Sequence, residues 1–189
     1  MPNRRLQDNK NLAGKLELRR YFVQTYHADD PPNVLDCCQG EGVIWRYLRK
    51  EFELSGYWGI DVKPKAGRLK VDSVRILCQP GWPQNVVDID TYGSPWRHWL
   101  AMPPRVSRPM SVFLTVGLGM LGTSSEERAA LGLADLPVPT EMMRRLHYRA
   151  CEACLAVALD TCNVIEVREV TTTARTRYYG VRLEPRSVG

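Results

Sequence analysis

The sequence predicts an α/β fold in which a mostly parallel sheet is covered by helices on both faces. Segments with a strand pattern alternate with segments with a helix pattern from residue 33 to residue 117. This alternation is typical of parallel sheets, because each parallel strand needs a crossover connection, usually a helix. The chain then ends in a helix and two alternating segments joined by a polar turn, which predict an antiparallel hairpin. Together these segments predict a sheet of seven strands.

Residues 1–32 are predicted to form a helical extension ahead of the sheet. Leu16, Arg20 and Val23 recur at spacings of three or four, which indicates an amphipathic helix over residues 12–27. Two consecutive prolines at positions 31 and 32 then exclude a continuing helix, since proline lacks the backbone donor. Residues 33–189 hold the sheet, and the extension and the sheet are predicted to form a single domain.

The remaining elements follow from periodicity and from turn residues. Strands are predicted at residues 33–38, 56–62, 69–72, 85–90, 110–117, 163–170 and 177–183, and helices at residues 43–52, 73–77, 94–102 and 140–159. Residues 110–117 are nearly all apolar, as expected for a strand covered on both faces. Residues 117–139 are rich in glycine, serine and proline, and we predict a loop that is a candidate lid.

Charge and hydropathy restrict the functional classes. The chain has 26 basic and 21 acidic residues, a net charge of +5, which suits a polyanionic partner without requiring one. Its start is polar and lacks the apolar segment of a signal peptide, so we expect a cytoplasmic protein. The longest apolar run, residues 112–121, is short of the roughly 20 residues that span a bilayer, so no membrane partner is expected.

The six cysteines are expected to be reduced thiols rather than a disulfide framework. Cys151 and Cys154 have the spacing of metal ligands, but they lie in a strongly helical segment and no second pair follows at zinc-ribbon spacing. We therefore interpret them as buried helical thiols. The three histidines are scattered, and no metal site is predicted.

A glycine turn after the first predicted strand indicates a nucleotide-type cofactor. Asp36 is followed by Gly40-x-Gly42 at the start of a helix, and glycines there allow the backbone to approach a ligand closely. Asp61 ends the second predicted strand, where a carboxylate can accept hydrogen bonds from ribose hydroxyls. A dinucleotide site would have a small residue three positions after Gly42, but Trp45 stands there.

The segment from Asp36 to Gly42 resembles the first motif of class I S-adenosylmethionine-dependent methyltransferases, and the final hairpin resembles the reversed last strand of that family. The resemblance implies a Rossmann-like fold and S-adenosylmethionine as the cofactor. It also implies that Asp61 holds the ribose, and that Asp72 meets the adenine amino group. The methionine part would be faced by Asp36, Gln39, Gly40 and Gly42.

The segment after the fourth predicted strand, Asp90-Thr-Tyr-Gly-Ser-Pro95, resembles a motif of tRNA guanine-N2 dimethyltransferases. The family has proline where this chain has Thr91. The resemblance implies that Asp90 orients an amine and that Tyr92 stacks on its ring. Ser94, Pro95 and Arg97 would then contact the substrate.

The leading hypothesis is an N-methyltransferase that acts on an exocyclic amine of a base in RNA or DNA. Arg97, Arg105 and Arg108 are candidates for phosphate contacts or, equally, for a solvated helix face. One alternative is a methyltransferase for a small molecule or a protein side chain. Another is a non-catalytic module that keeps the fold and binds nucleic acid or a partner protein. Pyrimidine C5 methylation is disfavoured, because the fourth-strand loop contains no cysteine nucleophile.

Overall fold

A computed structural model describes residues 11–63, 69–91, 93–117, 124–173 and 176–186. The helices are α1 (Leu12–Tyr26), α2 (Val43–Leu48), α3 (Ser73–Leu77), α4 (Trp96–Ala101), α5 (Ser125–Ala130) and α6 (Thr140–Ala156). The strands are β1 (Asn33–Asp36), β2 (Gly56–Gly59), β3 (Val86–Ile89), β4 (Met110–Gly117), β5 (Cys162–Thr173) and β6 (Thr176–Pro185). Short 3-10 turns follow α4 and α6.

The strands form one mixed sheet in the order β2-β1-β3-β4-β6-β5. The strands β1 to β4 pair in parallel, whereas β6 lies antiparallel to both β4 and β5. The predicted α/β fold with a reversed last strand is therefore confirmed. The chain order changes direction between β1 and β3, and ligands of such sheets bind outside the carboxyl ends of the strands at that point.

The predicted number of strands is wrong, because the described part of the chain forms six. The segment at residues 69–72 makes only an isolated parallel bridge between Lys70 and Asp61. Leu69 is 51% exposed and Val71 is only partly buried against the core, so this short segment buries little apolar surface. It therefore lies beside the β2 edge without extending the sheet.

Two apolar layers cover the sheet. On one face, the side chains of α1 and α2 pack against strand residues, with Phe22 stacked edge-on against Phe113 at 5.6 Å. On the other face, Trp96 and Trp99 of α4 and the thiols of α6 are fully buried. The predicted helix at residues 12–27 is thus confirmed and lies directly on the sheet.

The predicted loop at residues 117–139 is wrong in part, since α5 lies within it. Ser124 and Glu127 form a reciprocal capping box: the Ser124 hydroxyl accepts from the Glu127 amide, and the Glu127 carboxylate accepts from the Ser124 amide. Residues 118–123 of the candidate lid lie outside the described residues. In the part of the chain that is described, no helix combines the length and the apolar character needed to cross a membrane.

Candidate functional site

The carboxyl ends of β1, β2 and β3 bring acidic side chains together. Asp36, the last residue of β1, is in register with Gly59 of β2 and with Asp88 of β3. Asp61 follows β2 and Asp90 follows β3, so the predicted acids meet at one edge of the sheet. This edge lies at the point where the strand order reverses, which makes it the candidate site.

The glycine turn adopts the conformation that its sequence predicts. Gly40 and Gly42 both have left-handed backbone angles, with φ of +48° and +63°, which a side chain would disfavour. Asp61 holds this turn, because its Oδ2 accepts from the Gly40 amide at 3.0 Å and its Oδ1 accepts from the Lys63 amide at 2.8 Å. A carboxylate has about four lone-pair positions, so each oxygen can accept one further hydrogen bond from a ligand.

Asp36 is buried behind the turn. The Tyr57 hydroxyl donates to its Oδ2 at 2.8 Å, and the Gln39 amide donates to the Tyr57 oxygen at 3.1 Å. Burial, together with the nearby charge of Asp88, raises the pKa of Asp36 to about 8, against the opposing effect of the Tyr57 hydrogen bond. Asp36 is thus a carboxyl group that carries a proton near neutral pH.

Asp88 holds a buried ion pair beneath the site. Arg19 of α1 donates from Nε and Nη2 to the two carboxylate oxygens at 2.7 and 2.6 Å. The Trp45 indole N–H donates to Asp88 Oδ2 at 2.7 Å. Both side chains of the ion pair are 1% exposed, so α1 is fixed to β3 by a fully desolvated pair of charges.

Asp90, the predicted catalytic acid, has a cation beside it. Lys15 of α1 donates to both of its oxygens, at 2.6 and 2.7 Å. The side chain of Lys15 is 6% exposed and that of Asp90 is 20% exposed, so Asp90 alone keeps some access to solvent. The Lys15 ammonium also lies 5.2 Å from the centre of the Tyr178 ring.

The loop after β3 is tied to the end of β4. The Thr91 hydroxyl donates to the Thr115 carbonyl oxygen at 3.4 Å, and the Gly117 amide donates to the Gly93 carbonyl oxygen at 2.7 Å. Thr91 stands where the resembling family has proline, and its side-chain hydrogen bond restrains the loop in another way. Tyr92, the predicted stacking residue, lies outside the described residues.

The other predicted site residues take different roles. Asp72 caps α3, because its Oδ1 accepts from the Val74 amide at 3.0 Å. Ser94 accepts weakly from the Trp96 amide at 3.4 Å, and Pro95 is buried where α4 begins. Arg97 is exposed on α4, just after this loop. Their predicted contacts with cofactor and substrate stay predictions.

Two of the three arginines proposed for phosphate contacts lie elsewhere. Arg105 donates to the Cys78 carbonyl oxygen at 2.5 Å, and Arg108 donates to the Pro83 carbonyl oxygen at 3.1 Å. Both partners precede β3 and therefore lie at the amino edge of the sheet, opposite the site. The guanidinium groups of Arg105 and Arg108 fasten loops at that edge, and their contacts with phosphate stay a prediction.

The thiols beside the glycine turn are poor nucleophiles. Cys37 is 1% exposed, and burial raises its pKa well above the ordinary range. Burial likewise raises the pKa of the Cys38 thiol, and the charge of Asp36 adds to this shift. A thiol that stays protonated does not attack a ring carbon, so neither cysteine suits the covalent chemistry of pyrimidine C5 methylation.

Sequence reasoning missed the partners of the acids. Lys15 and Arg19 lie four residues apart on one face of α1, and each pairs with an acid of the β3 segment about 70 residues later. The sequence did contain a signal for these partners: two basic residues at helical spacing interrupt a stripe of α1 that otherwise faces the core. It indicates buried acids opposite the helix, but it does not say which ones.

No protein-family model matches the chain, and a comparison with curated proteins gives no match either. Solved structures do match. Trm1 from Pyrococcus horikoshii, in complex with S-adenosyl-L-methionine, matches with a TM-score of 0.63 and 15% identity over 93% of this chain and 56% of that chain. This chain therefore spans little more than half the length of Trm1.

Two further structures match over most of both chains. The N-methyltransferase NodS from Bradyrhizobium japonicum WM9, in complex with S-adenosyl-L-homocysteine, has a TM-score of 0.53 and 10% identity over 94% of this chain and 89% of that chain. The plantazolicin methyltransferase BamL has a TM-score of 0.53 and 12% identity over 92% of this chain and 84% of that chain. At such identities the likeness shows the fold, which is the Rossmann-like fold of class I methyltransferases.

Proposed function

We propose that this chain is an S-adenosylmethionine-dependent N-methyltransferase that acts on an exocyclic amine of a nucleobase in RNA or DNA. The observation that carries the proposal is the meeting of Asp36, Asp61 and Asp90 around the glycine turn, at the carboxyl ends of three adjacent strands. An open α/β sheet binds its ligand at this place. The fold shared with proteins crystallised with S-adenosyl compounds adds support.

The residues present suit the cofactor. Asp61 has acceptor capacity left for two ribose hydroxyls, and Gly40 and Gly42 leave room for close backbone approach. Asp36 would lie beside the methionine part, whose ammonium group would favour the ionised carboxylate. When bound, S-adenosylmethionine would supply the methyl group on a sulfonium that leaves as a neutral thioether.

The acceptor chemistry follows from the Lys15–Asp90 pair. An aliphatic amine is a cation at neutral pH, and the Lys15 ammonium would repel it from Asp90. The exocyclic amine of a nucleobase is neutral and commonly lies beside a ring acceptor atom. Asp90 can accept from that neutral amine without a second cation at the site, as enzymes do when they bind the Watson–Crick edge of a flipped base, while Lys15 holds the carboxylate from behind.

In the transfer step, the chain's own residues position the amine and exclude water. Asp90 accepts an amine N–H, orients the nitrogen lone pair and stabilises the positive charge that develops on nitrogen. The loop that carries Asp90 is held by the Thr91–Thr115 and Gly93–Gly117 hydrogen bonds. The surplus proton leaves the methylated nitrogen through Asp90 to solvent, to which Asp90 is 20% exposed.

A polyanionic substrate is supported by the net charge of +5 and by the place of Arg97. This side chain is exposed in the first turn of α4, directly after the Asp90–Pro95 loop, where it can reach a phosphate next to a bound base.

The test begins with calorimetric titration of S-adenosylmethionine and S-adenosylhomocysteine into the wild-type protein and into Asp61→Asn. The asparagine keeps an acceptor for the Gly40 amide but lacks the carboxylate charge, so we expect saturable binding to weaken at least tenfold. Asp160→Asn is the matched control, because Asp160 is exposed and precedes β5 at the opposite edge of the sheet. The control should bind like the wild type.

Labelled methyl transfer to single-stranded RNA, single-stranded DNA, duplexes and free amines then identifies the acceptor. Methylated exocyclic amines among the digested nucleosides would support the proposal, with lower activity at high salt. Transfer to small amines alone would refute the nucleobase acceptor and indicate a small-molecule methyltransferase. Cofactor binding without transfer to any acceptor would indicate a non-catalytic binding module, and the absence of cofactor binding would refute the enzyme proposal as a whole.

A further inference from the structure

A second group of chemically active side chains lies away from the proposed site. Glu127 of α5 and His147 and Cys151 of α6 place one possible metal-ligand atom each within 4.8 Å of one another. The three residues are 2%, 4% and 0% exposed, respectively. We name these three residues the Glu–His–Cys cluster. The transfer chemistry proposed above uses none of them.

The cluster contains buried polar atoms without partners. His147 Nδ1 contacts Glu127 Oε1 at 3.4 Å without the geometry of a hydrogen bond, and the Tyr179 hydroxyl has only the Cys151 thiol, a weak partner, beside it. A buried polar group without a good hydrogen-bond partner destabilises the folded state. His147 and Tyr179 are each at least nine-tenths buried, so bulk water does not satisfy these atoms. The unpaired atoms point to a bound species between the side chains.

The surroundings of Glu127 prepare it as a ligand. The Trp96 indole donates to Oε1 at 2.8 Å and the Ser124 amide donates to Oε2 at 2.9 Å. These donors fix the carboxylate and leave lone pairs on both oxygens, as outer partners of metal-binding carboxylates commonly do. His147 and Cys151 are four residues apart and therefore lie on the same face of α6.

We propose that the Glu–His–Cys cluster binds one zinc ion. Oxygen, nitrogen and sulfur ligands together suit zinc, whereas magnesium and calcium take oxygen ligands alone. Binding would displace the proton of the Cys151 thiol to solvent and form a zinc–thiolate bond, with a water or the Tyr179 oxygen completing four-coordination. The ion would fasten α5 to α6.

The site has a structural consequence for the Asp90–Pro95 loop. Trp96 directly follows this loop and donates to Glu127, so a metal ion on Glu127 would also restrain the start of α4. Zinc would thus stabilise the segment that we propose contacts the acceptor. The inference itself does not rest on the proposed function, since metal binding is measured without any cofactor or acceptor.

The test measures metal content and metal binding of the full chain. Protein purified without added metal is analysed by mass spectrometry, then stripped with a chelator and titrated with zinc chloride. We expect about one zinc per chain and a rise in the thermal midpoint of roughly 5 °C or more on zinc addition. Cobalt in place of zinc should give the near-ultraviolet absorption of a cobalt–thiolate bond.

The matched variants separate the cluster from other thiols. Cys151→Ser should lose the cobalt–thiolate absorption and bind zinc at least tenfold more weakly. Cys154→Ser alters another buried thiol of α6, one that contacts the Glu126 carbonyl oxygen, and should keep both properties. Less than about a tenth of an equivalent of zinc in the wild type, with no midpoint shift, would overturn the proposal. So would equal losses in the two variants.

Discussion

Lys15 on the first turn of α1 donates to both carboxylate oxygens of Asp90, at 2.6 and 2.7 Å, although 75 positions separate the two residues. The pair is asymmetric, because Lys15 is almost completely buried whereas Asp90 keeps one-fifth of its side chain in solvent. An incoming molecule therefore meets the acid while the cation lies behind it. The helix ahead of the sheet is thus a wall of the candidate site.

Removing the charge of Asp90 should abolish transfer without abolishing cofactor binding. In Asp90→Asn the amide still fits the loop, but it stabilises positive charge on the acceptor nitrogen poorly. We expect methyl transfer to fall by about 10²–10⁴-fold, with the affinity for S-adenosylhomocysteine changed by less than about threefold. Single-turnover transfer and calorimetry measure the two quantities. A parallel loss of both would place Asp90 in the cofactor site.

Removing the cation should relax acceptor selectivity. Lys15→Met keeps the length of the apolar stem but lacks the ammonium, so Asp90 can receive a cationic amine. We expect the ratio of transfer to aliphatic amines over nucleobase amines to rise about fivefold or more, since like charges at contact distance cost at least about 1 kcal/mol. Competition between two labelled acceptors measures this ratio. An unchanged ratio would mean that Lys15 has only a structural role.

The buried Arg19–Asp88 pair should dominate the attachment of α1 to the sheet. Arg19→Met leaves the carboxylate of Asp88 buried and without its cation, which we expect to cost about 3–5 kcal/mol of the free energy of unfolding. Adding Asp88→Asn removes the unpaired buried charge, so the double variant should recover a large part of the lost free energy of unfolding. Urea denaturation measures both variants.

The neighbouring helix residue provides the control for that prediction. Arg20 pairs with Glu51 in a bridge whose side chains are 37% and 38% exposed. Solvent screens such a pair, so Arg20→Met should lower the free energy of unfolding far less than Arg19→Met does. Similar losses of unfolding free energy in Arg19→Met and Arg20→Met would contradict the claim that burial makes the Arg19–Asp88 pair the more important one.

Asp36 should make the protein less stable as the pH rises. Its folded pKa is about 8, against an ordinary value of 3.8, so between these values the folded state holds a proton that the unfolded chain has released. The free energy of unfolding then falls with increasing pH, by up to about 1.4 kcal/mol per pH unit. Comparing urea denaturation of wild type and Asp36→Asn from about pH 5 to about pH 8 isolates this contribution.

The asparagine variant keeps an oxygen that accepts from the Tyr57 hydroxyl but has no proton to lose. Its stability should decline less with pH than that of the wild type, and the gap between the two should widen toward pH 8 in the variant's favour. Parallel profiles would mean that Asp36 titrates alike in the folded and unfolded states.

Local signals in the sequence were enough to predict most of the fold. Strand and helix periodicity located the β1 to β4 segments and the final hairpin, because the side chains on one face of each element share the same burial. The same reasoning failed at residues 69–72, where the alternation of Leu69 with Lys70 indicated a strand. The sequence does not show that Leu69 is exposed. The helix α5 was missed because a stretch rich in glycine and proline hid the Ser124–Glu127 capping box.

The same distinction between local signals and tertiary packing applies to the candidate site. Asp36, the glycine turn and Asp61 could be placed from spacing alone, because short connections fix where a parallel strand ends. The partners Lys15 and Arg19 depend on which face of α1 lies over β3, a tertiary choice that no local pattern encodes. The Glu–His–Cys cluster depends likewise on the docking of α5 against α6.

The packing of α1 onto β6 gives a prediction that needs no ligand. A Cβ atom at Gly180 would lie 2.4 Å from Cε2 of Phe22, a ring that is fully buried against Phe113. Gly180→Ala should therefore cost about 1–3 kcal/mol of the free energy of unfolding and weaken amide protection in α1 first. Phe22→Leu removes the atoms that the new methyl would strike. The double variant should consequently lose less than the sum of the single losses, whereas strictly additive losses would mean that α1 does not dock through this contact.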